Sequence, residues 1–220
     1  MSTQDTHDHP LFARFWKLAA PGAMSGRDRD TLLGGLQGDI VEVGAGTGVN
    51  FAHYPVGVTR VVAVEPEPHL RAEAARHVAA APVPVEVVDG TAESLPLADA
   101  SCDGAVLSLV LCSVSDQAAA LAELERVVRP DGELRFYEHV VAHRARPAAF
   151  QRLLDRSGVW PKLGAGCHVA RDTSTALDAS GFDVVEQRRF MSGLGPFALP
   201  HIAGVARRQS STMATSATTA

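Results

Sequence analysis

Short, nearly unbroken apolar runs recur along this chain, separated by segments with helical spacing. Ile40–Val43, Val61–Val64, Val85–Val88, Ala105–Cys112 and Glu133–Glu138 read as strands. A strand with one wet face alternates apolar and polar residues, so runs lacking that alternation belong to a sheet covered on both faces. The covering helices lie between them. Pro68–Ala80 starts with a proline in its first turn and carries Leu70, Ala74 and Val78 on one side. Asp116–Val128 follows a Ser115-Asp116 cap and aligns Leu121, Leu124 and Val128. Arg129-Pro130-Asp131-Gly132 is expected to end that helix and turn into the next strand. Alternation of this kind specifies a mostly parallel sheet with right-handed crossovers. Phe182–Phe190 and His201–Arg208 depart from it: two strand-like runs share a Gly/Pro-rich connection too short for a helix, which predicts an antiparallel hairpin.

Composition narrows the function. A 220-residue chain builds one good core, and 46% apolar with 20% charged residues is ordinary for a folded domain. A net charge of −5 argues against a general phosphate-binding surface, so no nucleic-acid partner is expected. Cys102, Cys112 and Cys167 form neither a CxxC pair nor a zinc spacing, so neither a disulfide framework nor a metal site is expected. No apolar run is long enough to span a bilayer, and Met1–His9 is polar rather than signal-like, so the expected location is cytoplasmic. Residues 1–10 and 209–220 are expected to be mobile tails around a single domain at 11–208.

The most informative segment is Val41-Glu42-Val43-Gly44-Ala45-Gly46-Thr47-Gly48, expected to follow a strand and open a helix. Gly44, Gly46 and Gly48 permit a sharp turn and close approach of a ligand to the backbone. The spacing is G-x-G-x-G, not the G-x-G-x-x-G of a dinucleotide fingerprint. Glu65, with Pro66, ends the second strand about 20 residues on, where a carboxylate accepts hydrogen bonds from both hydroxyls of a ribose. Glu42 is an isolated carboxylate inside an apolar strand, costly to bury without partners. Either it serves a ligand or the glycine turn, or backbone N–H groups satisfy it.

Asp89-Gly90-Thr91-Ala92-Glu93-Ser94-Leu95-Pro96-Leu97, Asp99–Asp103 and Arg126–Gly132 complete an ordered set. On these residues the chain resembles class I S-adenosylmethionine (SAM)-dependent methyltransferases, especially the branch of ubiquinone/menaquinone C-methyltransferases. The resemblance implies a Rossmann-like α/β fold with a mostly parallel seven-stranded sheet and an antiparallel C-terminal strand. It implies SAM as cofactor, with Thr91, Ala92 and Glu93 beside the adenine and Glu42 near the amino-acid end. Thr91 stands where that family usually has Asp.

A second resemblance covers Asn50–Pro55, Leu109–Val114, Glu138-His139-Val140, Gly166–Asp172 and Pro200–Gly204. These are similar to the methyltransferase-like family of alkyl thiol S-methyltransferases. That implies a thiol as methyl acceptor, adds Asn50 and Leu109 to the cofactor set, and adds Cys112, Cys167 and His168 to the acceptor pocket; Trp160 and Phe197, outside those motifs, are read separately as candidate pocket walls. N-, O- or C-methylation of a lipid, quinone or secondary metabolite stays open, as does a SAM-binding module without turnover.

His139 ends the fifth strand, the side of an open parallel sheet where ligands bind, and histidine changes charge near neutral pH. It is the candidate base, against a plain loop-anchoring role. The segment 11–36 reads as a helical cap whose first helix is amphipathic. Phe12 and Trp16 on its apolar face are candidate pocket walls, and the same face would suit peripheral contact with a membrane.

Overall fold

The computed structural model describes residues 10–163, 166–193 and 198–210. Two helices come first, α1 (Pro10–Ala23) and α2 (Gly26–Leu33), covering most of the expected 11–36 cap. The sheet then begins with β1 (Gly38–Val43), β2 (Val58–Val64), α3 (Pro68–His77), β3 (Val85–Val88) and β4 (Cys102–Ser108). It continues with α4 (Gln117–Val127), β5 (Val128–His139), α5 (Ala145–Arg156), α6 (Val159–Leu163) and α7 (Thr173–Asp178). The hairpin β6 (Phe182–Ser192) and β7 (Leu199–Arg208) ends it. The seven strands lie in the order β3-β2-β1-β4-β5-β7-β6. β1 to β5 pair in parallel, and β7 runs antiparallel between β5 and β6. This is the Rossmann-like class I methyltransferase topology, as expected. Among the described residues no helix is long and apolar enough to cross a membrane.

The strand period sorts the core into two layers. Val41 and Val43 pack with Val62, Val64, Ala105, Leu107 and the α4 residues Leu121 and Leu124 on one face. Ile40, Val61, Ala63 and Val106 face the other way, against Leu32, Leu33 and Ala74 of α2 and α3. Both faces are buried, which is why these strands lack alternation in sequence. Local caps fix the helix starts. Ser25 accepts from the Asp28 N–H, Glu67 from the Leu70 N–H ahead of Pro68, and Asp116 from the N–H groups of Ala118 and Ala119.

Several expected boundaries are corrected. The glycine turn opens only a 3-10 turn, Phe51–His53, not an α-helix. Pro55 follows at once and disfavours helical backbone at the residue before it. The expected Pro68–Ala80 helix tightens into a 3-10 turn at Val78–Ala80. The strand expected over Ala105–Cys112 stops at Ser108, because Leu109 takes a φ of 61°. Arg129–Gly132 does not separate α4 from a later strand. It is a bulge within β5, where Cys102 pairs with Val128 but Gly104 already pairs with Glu133, and Asp131 has a φ of 63°.

Gly204 shows how closely β6 and β7 approach. A Cβ there would run into the Glu186 carbonyl oxygen, beside the register shift between Val184 and Glu186. Backbone on a paired strand cannot yield cheaply. Gly204→Ala is therefore expected to cost about 1–3 kcal/mol, as overpacking in a tight site does. Thermal denaturation checks this: the melting temperature should fall by roughly 2–12 °C, and an unchanged value would mean that β6 and β7 leave room for a methyl group.

Candidate active site

Strand order reverses direction between β1 and β4, and open α/β sheets bind ligands at the carboxyl ends of strands at such a point. A cleft of about 990 Å³ opens there. Gly44, Ala45 and Gly46 form its floor after β1, with Glu65 and Pro66 after β2. Thr91, Ala92 and Glu93 line the wall after β3, and Leu109 and Cys112 the wall after β4. His139 after β5 joins Trp160 and Cys167 at the opposite end. Trp16 of α1 also lines the cleft, and a Cβ on Gly46 would lie 3.3 Å from its indole nitrogen, so the ring covers the glycine turn. Lys17 ties this helix to α3 through an ion pair with Glu73 (2.9 Å). The side chain of Phe12 and all of Phe197, another candidate wall, lie outside the described residues.

The glycine turn needs its composition. Gly44 has a φ of 66°, and a Cβ there would meet a Val110 methyl at 2.7 Å. Gly46 and Gly48 also have positive φ. Gly48 does not line the cleft with them; it borders a smaller depression beside Phe51 and His77.

Three strand-end carboxylates are buried around the floor, each differently held. Glu42 accepts from the Asn50 side-chain N–H (2.9 Å) and the Tyr54 hydroxyl (2.8 Å), so side chains rather than backbone satisfy it. Arg29 of α2 donates in turn to the Asn50 oxygen. Glu65 accepts from the backbone N–H groups of Gly46 (2.7 Å) and Glu67 (3.0 Å). Glu138 accepts from Val110 (2.9 Å), Leu111 (3.0 Å) and Cys112 (3.2 Å). Burial pushes each of the three up to about 7, against the hydrogen bonds that favour the charged form.

Glu93 is a different case. Its carboxylate accepts from the Ser115 N–H and hydroxyl and from the Asp116 N–H, fixing the start of α4. Burial pushes this group up, but the hydrogen bonds outweigh it, and its pKa lies below the ordinary value.

The end of the cleft beyond β5 holds sulfur and imidazole. His139 Nδ1 lies 3.4 Å from Cys167 Sγ, whose neighbour Cys112 Sγ is 3.7 Å away. The thiol of Cys167 is lowered to about 5 by the hydrogen bond with Cys112, then by His139, against burial. Cys112 is displaced well upward by that same contact and by burial. The His139 ring packs edge-on against His201 at a centroid distance of 4.3 Å. His168 does not join this group. It does not line the cleft: its Nδ1 lies 3.8 Å from Asp155, and its backbone N–H donates to the Cys112 carbonyl.

Two buried polar atoms of the cleft lining near the glycine turn lack a partner among the described residues: the Thr47 hydroxyl and one oxygen of Glu67. Unmet polar atoms in a cleft mark where a bound molecule supplies the missing bonds. A hydroxyl that donates and accepts, beside a carboxylate oxygen, suits a polar ligand carrying hydroxyl, amino and carboxylate groups, as SAM does.

A methyltransferase-domain family model matches residues 41–136. The human thiol S-methyltransferase TMT1A is 36% identical over 172 residues, covering 76% of this chain and 69% of its own length. The chain belongs to the class I SAM-dependent methyltransferases. A demethylmenaquinone methyltransferase of Thermobifida fusca is 34% identical over 55% of this chain and 48% of its own. Among solved structures, the YcgJ protein of Bacillus subtilis superposes with a TM-score of 0.67 at 16% identity, over 84% of this chain and 97% of that one. At that identity the likeness concerns the fold. The enzyme uses SAM as its cofactor.

Arg29 escaped sequence reasoning, and Tyr54 and Glu138 entered it only as part of the second resemblance, without a role. Arg29 sits in Arg27-Asp28-Arg29-Asp30, which reads as a solvated helix face yet is buried here. Glu138 had a usable signal, a carboxylate closing an apolar strand just as Glu65 does. Glu138→Gln puts a donor where three N–H groups already point. Leaving one unmet costs about 1–3 kcal/mol. Faster hydrogen exchange at the amides of 110–112, with lower stability, is the expected result; unchanged exchange would show that the loop is held by other means.

Proposed function

We propose that this enzyme transfers the methyl group of SAM to the sulfur of a small thiol. The observation that carries the reading is the chemistry of the cleft beyond β5. Its lining there brings together the sulfurs of Cys112 and Cys167, the Trp160 indole, the His139 imidazole, the Ser113 hydroxyl and Lys162, and the nearby carboxylate of Glu138 is turned onto backbone N–H groups. A cationic amine would seek a free carboxylate at that end, whereas a neutral thiol needs only a base and a dry wall. The similarity to thiol S-methyltransferases supports the same acceptor. The chain spans 61 to 69% of those relatives' lengths.

Bound SAM supplies an already activated methyl group, so the chain's task is binding, orientation and exclusion of water. In the proposed assignment Glu65 accepts the ribose hydroxyls, already aimed by the N–H groups of Gly46 and Glu67. The Gly44–Gly46 backbone and the Thr47 hydroxyl receive the amino-acid end, with Glu42 and Asn50 stiffening the turn from below. Thr91, Ala92 and Leu109 flank the adenine, and Glu93 holds that wall through Ser115. His139 takes the acceptor's proton, and Trp16 and Trp160 shield the reacting atoms from water.

Glu65→Ala is expected to weaken SAM binding about ten- to hundredfold, from the loss of two charge-assisted bonds worth roughly 1.5–3 kcal/mol. The pH sign follows from the raised pKa of about 7. The ionised carboxylate is the better acceptor, so wild-type affinity should rise with pH through neutrality, while a Glu65→Gln variant should stay flat. Titration calorimetry decides; equal affinity in wild type and the folded alanine variant removes Glu65 from the ribose.

Acceptor choice is tested with labelled SAM and a panel of thiols, phenols, amines and quinols, read by mass spectrometry. A methyl thioether is the expected product, and transfer only to oxygen, nitrogen or carbon would discard the thiol reading. His139→Ala should slow thiol methylation about 100-fold near pH 7. The defect should shrink as pH rises and the acceptor ionises unaided. Wild-type rates at every pH would remove His139 from the chemistry.

A further inference from the structure

The sulfur–imidazole group has a geometry beyond what acid–base work requires. Cys112 Sγ and Cys167 Sγ are 3.7 Å apart, and Cys167 Sγ and His139 Nδ1 are 3.4 Å apart. All three atoms lie within 4.8 Å of one another. A tetrahedral zinc ion binds sulfur at about 2.3 Å and imidazole nitrogen at about 2.0–2.1 Å, which separates two sulfurs by about 3.8 Å and sulfur from nitrogen by about 3.6 Å. Two of the three spacings thus already match a bound ion to within a few tenths of an ångström. The three residues come from separate elements: the turn after β4, the end of β5 and the segment before α7.

We propose that Cys112, His139 and Cys167 form a three-ligand site for one zinc-class divalent cation, its fourth position open to the cleft. Two thiolates and a neutral imidazole leave a divalent ion with no net charge, a condition for placing it in a partly buried pocket. Three protein ligands plus an open position is the pattern of a reactive rather than a structural zinc site. Resting on the function proposed above, an acceptor thiol entering that position would release its proton to solvent and bind as thiolate. In the ion-free protein His139 Nδ1 is available as a base; with the ion bound it is a ligand, and ionisation of the thiol passes to the metal. The turn that carries Cys112 is pinned by Glu138, and His168 donates its backbone N–H to the Cys112 carbonyl, so the ligand-bearing backbone is ordered in advance.

The test uses the full chain, kept reduced, with Zn2+ alone and then Co2+ alone as probes, without cofactor or acceptor. Equilibrium dialysis should find one Zn2+ per chain. Co2+ should give sulfur-to-metal charge-transfer absorption in the near ultraviolet with intense tetrahedral bands. Cys167→Ser and His139→Asn should weaken Zn2+ retention at least tenfold and abolish or reshape the cobalt spectrum. Cys102→Ser, remote from the cleft, should change neither. Should a variant fail to fold, the wild-type cobalt spectrum still decides, because only sulfur ligation produces that charge transfer. No retained ion, retention undiminished in a folded Cys112→Ser/Cys167→Ser variant, or a Cys112–Cys167 disulfide forming under reducing conditions would each overturn the site. Ion retention without any thiol product leaves the site standing and removes the thiol reading instead. Thiol methylation at full rate in chelator-treated, ion-free enzyme does the reverse for the ion's part in turnover.

Discussion

The contact on which the active site most depends is that of the Glu138 carboxylate with three backbone N–H groups of the turn after β4. β4 stops at Ser108, and Leu109 turns the chain out of the sheet with a left-handed φ. The next N–H groups leave the ladder and would be orphaned inside the protein. A carboxylate from the neighbouring strand collects them, and the loss of hydration is offset by hydrogen bonds to a charged acceptor. The same contact delivers Cys112 to the side of His139, because Glu138 and His139 are consecutive. One strand end thus anchors a loop with one residue and offers an imidazole to the cleft with the next.

Glu42 and Glu65 repeat this logic after β1 and β2. Each sits where β1 or β2 runs into the cleft, and each is spoken for by the adjacent turn: Glu42 by Asn50 and Tyr54, Glu65 by Gly46 and Glu67. A buried carboxylate in this sheet is first a clamp on a turn that has lost its ladder partners. Its remaining lone pairs are then fixed in direction before any ligand arrives, and pre-orientation of that kind lowers the cost of binding. The raised pKa values of all three belong to the same arrangement, since burial disfavours charge even where hydrogen bonds support it.

The fold was largely legible in the sequence because burial on both faces leaves unbroken apolar runs, and those runs carry their own boundaries at Gly and Pro. Legibility failed where backbone conformation is set by tertiary partners. Nothing local announces that Leu109 turns left-handed, or that Arg129–Gly132 bulges inside a strand rather than preceding it. That Gly44, Gly46 and Glu65 share one cleft was readable for a related reason: they sit at strand ends, so their place along the chain fixes their place in space. His168 was misplaced because it lies in a connection whose side-chain directions no periodicity sets. Arg29 was missed because a buried cation among acidic neighbours is indistinguishable, in sequence, from a solvated helix face.

Cys112, His139 and Cys167 mark the limit of such reading. Metal motifs are recognised by short spacings because two ligands on one turn or helix are held close by local geometry. Here the separations in sequence are long, and proximity comes entirely from the sheet: β4 and β5 are neighbours, and the segment before α7 folds back over their ends. Spacing therefore excludes local ligand pairs only, and says nothing of a set assembled by a parallel sheet. The same sheet imposes a constraint in return. Cys112, His139 and Cys167 all line the crevice, so an ion held by them would keep one side toward whatever the crevice binds. The proposed ion site beyond β5 and the carboxylate-braced glycine turn after β1 would then be two products of one topology.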